Sequence, residues 1–206
     1  MPPLTAAGQQ RQEDRFKRLG PTALGSSGNG PFESYEDISV VTRCITRGLP
    51  NAMLTGGYNN NYQIVQAQGL VVLLSEMMHD ARVIPLDGRP HISPNIQQWM
   101  GDSRGHWEGD TLVVDVQNFP DRDVTGFGVL YRHSETSHLR LTERFTRIDA
   151  NTLDYQVTVD DPATFTRSWT AAIPMVKSED RLFEYACHEG NYSLTNMLKG
   201  SRTEDR

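Results

Sequence analysis

Apolar residues recur in this chain with a period of two rather than 3.6 over most of its length, and that restricts it to antiparallel β architecture. Tyr62, Ile64 and Gln66 alternate with Gln63, Val65 and Ala67, and Gly69 then punctuates. Val71 to Met78 reads as an apolar strand ending at His79-Asp80, and Arg82 to Leu86 as another, closed by Asp87-Gly88. Glu108-Gly109-Asp110, between His106-Trp107 and the run from Thr111 to Val116, is a tight hairpin signal in which glycine supplies the positive φ. Leu139, Leu141 and Phe145 share one face of 137–148, and Leu153, Tyr155, Val157 and Val159 one face of 152–160. Phe165, Trp169 and Ile173 follow in 164–175, and Phe183, Tyr185 and Cys187 in 181–188.

Eight or nine strands with one apolar face each cannot bury that face as a flat sheet. The expected fold is therefore all-β, an antiparallel closed or nearly closed barrel of the lipocalin or calycin kind with a short N-terminal helix. A barrel of about eight strands has room for one small ligand. Residues 1–31 read as a helix capped by Thr5, with Phe16 and Leu19 as anchors, followed by a flexible Gly/Ser/Pro connector from Gly20 to Gly30. Residues 32–200 form the barrel domain and 201–206 a charged, fraying tail. Pro90 to Gly105 and Pro120 to Ser137 are long insertions of the kind that carry lids and ligand contacts.

With 206 residues, one domain is expected. A net charge of −6 disfavours nucleic-acid partners. The longest apolar run, Gly69 to Leu74, is far short of the roughly 18 to 20 residues that cross a bilayer, so no membrane insertion is expected. Cys44 and Cys187 read either as one long-range disulfide or as two buried thiols. The N-terminus carries no signal peptide in this numbering. If such a peptide has been removed, the protein is periplasmic or secreted and a disulfide becomes reasonable.

Glu143 falls in phase with Leu139, Leu141 and Phe145, and Glu76 in phase with Val72, Leu74 and Met78. A carboxylate facing a core needs a partner, and Arg82, Arg89 and Arg144 are the nearby suppliers. The alternatives are a structural ion pair and a pocket carboxylate that moves a proton on a ligand. All six histidines lie near a carboxylate or an arginine, the ordinary equipment of acid–base catalysis. The candidate catalytic groups are Glu76, His79, His106 and Glu143. Tyr58, Tyr62, Arg82, Arg89, His91, Trp99, Trp107, His188 and Tyr192 are the candidate substrate-binding residues. Ser103 has the spacing of a nucleophile elbow in Gly101-Asp102-Ser103-Arg104-Gly105, yet no helix follows it. Zinc spacings are absent, so neither a metal nor a cofactor is expected.

The runs RCITRGLPNAM (43–53), YNNNYQIVQ (58–66), EMMHDARVIPLDGRPH (76–91), WMGDSRGHWEGDTLVVDVQNF (99–119), ERFTRIDANTLDYQVTVDDP (143–162) and EYACHEGNY (184–192) together resemble a large, uncharacterised bacterial family of exported proteins. The resemblance spans about residues 43 to 200 and implies an exported β-barrel, without bringing an activity. Val116-Gln117 and Val129 to Arg132 depart from the family pattern, which bears on loop-dependent specificity. The functional expectation is a cofactor-independent lyase, isomerase, cyclase or hydrolase acting on a small oxygenated organic molecule by His/Glu acid–base catalysis. The alternatives are a non-catalytic small-molecule-binding protein and a structural protein with a filled barrel; a homo-oligomer is compatible with each.

Overall fold

The period-two segments form eight strands in the computed structural model, which describes residues 2–19, 31–120 and 138–204. β1 (Tyr62–Ala67), β2 (Leu70–Ser75) and β3 (Ala81–Pro85) make a three-stranded antiparallel sheet. β4 (Asp102–Glu108), β5 (Thr111–Gln117), β6 (Arg140–Arg147), β7 (Thr152–Asp160) and β8 (Trp169–Val176) make a five-stranded antiparallel meander. The β4–β5 turn has Gly109 at φ 58°, as its sequence predicts. α1 (Ala6–Leu19) opens the chain; the Thr5 hydroxyl accepts from Gly8 N–H at 3.0 Å as an N-cap. The side chains of Phe16 and Leu19, the connector from Gly20 and the insertion over 121–137 lie outside the described residues.

Among the described residues no sheet closes into a barrel, which corrects the fold expected from periodicity. Closure requires β3 to pair with β4 and β1 with β8, and all four remain edges among the described residues. β8 carries Pro174, which has no N–H to give a neighbouring strand, and every residue of β1 after Tyr62 is exposed. The interior is filled instead by the irregular segment before β1: Leu49, Ala52, Met53 and Leu54 are buried and join the inner faces of both sheets in one core. Val71, Leu73 and Ile84 come from the first sheet, and Leu112, Val114, Val116, Leu141, Phe145, Tyr155, Val157 and Val159 from the second. The result is two sheets packed over a filled interior rather than a closed cup.

Gly105 marks where the two sheets meet. A Cβ there would lie 2.8 Å from Ile84 and 2.7 Å from Leu86, so glycine is what allows β3 to cross over β4.

The C-terminal quarter departs from expectation twice. Residues 181–187 have the alternation of a strand but enter no sheet; they run as a strap over the turn that follows β2. Where a fraying tail is expected, α2 (Ser193–Glu204) forms, because Leu194, Met197 and Leu198 lie one helical turn apart and pack on Phe32 and Ile38. The buried Ser201 hydroxyl accepts from Phe32 N–H at 2.9 Å. No helix among the described residues is long and apolar enough to cross a membrane.

Of the two readings of the cysteines, the structure has the disulfide: Cys44 and Cys187 are bonded across a sequence separation of 143. In the chain-entropy account a link closing so long a loop stabilises by about 5 kcal/mol. Reduction, or paired Cys44→Ser and Cys187→Ser substitution, is expected to lower the unfolding free energy by roughly that amount in a urea titration.

Candidate functional site

The inner face of β6 carries one carboxylate, and its partner comes from the other sheet. Glu143 is fully buried; Arg82 of β3 donates through Nη1 to Oε1 at 3.0 Å and through Nη2 to Oε2, a bidentate pair. Tyr155 of β7 donates its hydroxyl to Glu143 Oε1 at 2.8 Å, and Ser103 of β4 accepts from Arg82 Nη2 at 3.3 Å. Burial works against the charge on Arg82, and Glu143 more than offsets it, so the guanidinium titrates above its ordinary value. Burial, reinforced by the Glu143 charge, lifts the Tyr155 phenol well above its usual range. Arg82 Nε is buried with no hydrogen-bond partner, and so is Ser75 Oγ of β2. The strand register puts these two on adjoining inner-face positions: Arg82 lies opposite Leu73, and Ser75 stands two residues along from Leu73 and opposite Tyr62.

A second polar group sits beside the first. Arg47 is among the most deeply buried side chains, with Tyr62, Tyr58 and Tyr185 around it; burial lowers its affinity for its proton and the tyrosines work the other way. Gly56 makes room for it, since a Cβ at that position would lie 2.2 Å from Arg47 Nη2. Burial likewise raises the Tyr62 phenol, whose hydroxyl donates to Ala52 C=O at 2.7 Å. Tyr185, on the strap, is bonded to Tyr58.

The four expected acid–base residues are not gathered. Glu143 is inside the ion pair. Glu76 is buried, but it sits at the start of the 3-10 turn over Met77–His79, without capping it through its side chain, rather than facing the core from β2, whose inner positions are Val71, Leu73 and Ser75. Its carboxylate accepts from Asn61 Nδ2 at 2.6 Å and from the Phe183 N–H at 3.1 Å. His79 accepts the Tyr185 N–H on Nε2 at 2.7 Å, so both residues serve to hold the strap. His106 lies on the outer face of β4 beside Glu108, at 3.3 Å, across the sheet from Ser103 and Gly105.

The expected binding residues scatter similarly. Arg82 and Tyr62 belong to the interior polar groups, whereas Tyr58 lies near Arg47 but is half exposed. Arg89 pairs with Asp87 in an exposed turn. His91 bridges two carboxylates, Nδ1 to Asp102 at 2.7 Å and Nε2 to Asp115 at 2.9 Å, with Arg104 on the far oxygen of Asp102 at 2.7 Å. Both imidazole nitrogens are thereby committed to clamping the Pro90 loop to the sheet. Trp99 is half-buried in the same loop, Trp107 is exposed at the β4–β5 end, and His188 and Tyr192 are exposed beyond the disulfide. Arg144, considered as a partner for a core carboxylate, meets Glu108 at 2.9 Å on the outer face.

Sequence reasoning missed Arg47, Ser75 and Tyr185 as polar members of the interior. Arg47 sits in a segment with no periodicity, so nothing marks it as inward. Among the described residues no group of three or more His, Cys, Asp or Glu is placed to hold a metal ion. The chain matches no protein-family model, no curated protein and no solved structure.

Glu143→Ala is expected to cost about 3 to 5 kcal/mol in chemical denaturation because it strands the Arg82 charge, whereas the paired change Arg82→Met with Glu143→Leu recovers most of that loss. The Tyr155 phenol titrates higher folded than unfolded, so its stabilisation is full below about pH 10 and is lost as the pH rises past it. The unfolding free energy of Tyr155→Phe, followed from pH 9 to 11, is accordingly expected to fall less steeply than that of the parent.

Proposed function

We propose that the protein binds a small oxygenated organic molecule between its two sheets and releases it unchanged. The observation that carries this is the pair of buried polar atoms, Arg82 Nε and Ser75 Oγ, that have no partner on adjoining inner-face positions. A buried donor left unbonded costs about 1 to 3 kcal/mol, and an oxygen of a ligand would recover it. The inner face of β8, with Trp169, Ala171, Ile173 and Met175, is only partly buried, and Ile64 of β1 is exposed. These supply an apolar wall for the remainder of the molecule. An enzymatic reaction through Glu76, His79, His106 and Glu143 has less support, because three of the four face the strap or the outer surface and Glu143 is saturated by Arg82 and Tyr155.

Export to an oxidising compartment, and kinship with the exported bacterial family that the sequence resembles, are companion proposals. The Cys44–Cys187 bond supports the first, since such bonds persist outside reducing compartments.

Calorimetric titration with cinnamate and with 1-anilinonaphthalene-8-sulfonate, each an anion on an apolar body, tests the reading. Saturable binding of one equivalent is expected. Ile173→Lys should weaken it at least about tenfold and Ser75→Ala by about three- to tenfold, with the probe recovered unaltered. Binding that does not saturate, or that neither substitution affects, would overturn it.

A further inference from the structure

The three-stranded sheet carries apolar residues on its outer face as well as on its inner one, where Ser75 and Arg82 also lie, and among the described residues the outer face is left partly exposed. Its inner face enters the core. Its outer face, read from the register, consists of Gln63, Val65 and Ala67 on β1, Leu70, Val72 and Leu74 on β2, and Ala81, Val83 and Pro85 on β3. None of these nine residues is charged. Val65, Val72 and Val83 are direct cross-strand neighbours and form a row, with Val65 46% and Val83 57% exposed.

The free edge of the same sheet is equally unguarded. Natural edge strands discourage pairing with charge, proline or a bulge. At one edge of the five-stranded sheet β8 has Pro174. β1, with the sequence YQIVQA, has no charge and no proline, its pairing with β2 is unbroken over six residues, and among the described residues no other strand bonds to it.

We propose that β1 pairs antiparallel with β1 of a second copy of this chain, extending the sheet to six strands across a two-fold axis at Val65. Three observations select a second copy over another occupant. The strand is complementary to itself: with the axis at Val65, Gln63 meets Ala67 and Ile64 meets Gln66, every opposed pair falls on one face, and the valine row continues unbroken from one copy into the other. Like subunits each bearing a net charge of −6 repel, and a surface without charge is where they can approach. The inward side of the joint is also continuous, since Ile64 and Gln66 of the second copy prolong the inner face of the sheet. A six-residue edge falls short of the roughly 800 Å² per partner of a stable dimer, so the pairing is a weak, concentration-dependent one.

Sedimentation velocity on the intact, disulfide-bonded chain from micromolar to near-millimolar concentration tests this, with Val65→Lys, Val65→Glu and Val176→Lys as variants. Val65 is on the outer face, away from the proposed ligand site, so ligand binding and association can fail separately. The parent and Val176→Lys are expected to dimerise alike. Either charge at Val65 should weaken the dimer at least about tenfold, because the two-fold places like charges side by side. An equimolar mixture of Val65→Lys and Val65→Glu should recover it. A parent that stays monomeric throughout, a Val65→Lys variant that dimerises like the parent, a mixture that fails to recover association, or a loss confined to Val176→Lys would each overturn the proposal.

Discussion

The Arg82–Glu143 pair is the interaction on which the rest of the structure depends. The two sheets share no backbone ladder, and each charge comes from a different one. Neither group can be inside without the other, since an isolated charge in such a place is prohibitive. The pair therefore sets the distance between the sheets and their relative register at once. Tyr155 and Ser103 take up further hydrogen-bonding capacity from the meander side, which leaves Arg82 Nε facing the interior.

A second set of attachments works from outside. The strap of residues 181–187 crosses the turn after β2, held by Glu76, by His79 and by the disulfide to Cys44. Met78 and His79 adopt positive φ in that turn, at 63° and 54°, which aims the imidazole at the strap. Residues with the chemistry of an acid–base site are thus used as fasteners, and Tyr185 is brought over Tyr58 and Arg47 as a result. The polar groups of the interior are the less conspicuous ones, a serine, an arginine edge and tyrosine hydroxyls.

What could be read in the sequence follows from how local each signal is. The β4–β5 hairpin and the inward phase of Glu143 were legible, because a glycine at a turn and a carboxylate among leucines are decided within a few residues. The phase of β2 was not: Leu70, Val72 and Leu74 are as apolar as Val71 and Leu73, so periodicity cannot choose between the faces and Glu76 is assigned to the wrong one. The alternation of Phe183, Tyr185 and Cys187 is a strand pattern, yet Phe183 is exposed and the segment is fixed by side chains rather than by a ladder. Strand count and the single apolar face of each strand point to closure, but closure depends on whether distant edges can bond and on what else can fill the middle. Leu49, Ala52, Met53 and Leu54 fill it, from a stretch with no regular structure to announce it.

Since β3 crosses β4 through side-chain packing at Gly105 rather than through main-chain bonds, the angle between the layers is set by volumes and not by hydrogen-bond geometry. Exchanging one aliphatic group for another at Ile84 or Leu86 would tilt one layer against the other while every ladder stayed intact. A lineage built on this plan could widen or narrow its cleft in small steps, retuning what fits inside without refolding either half.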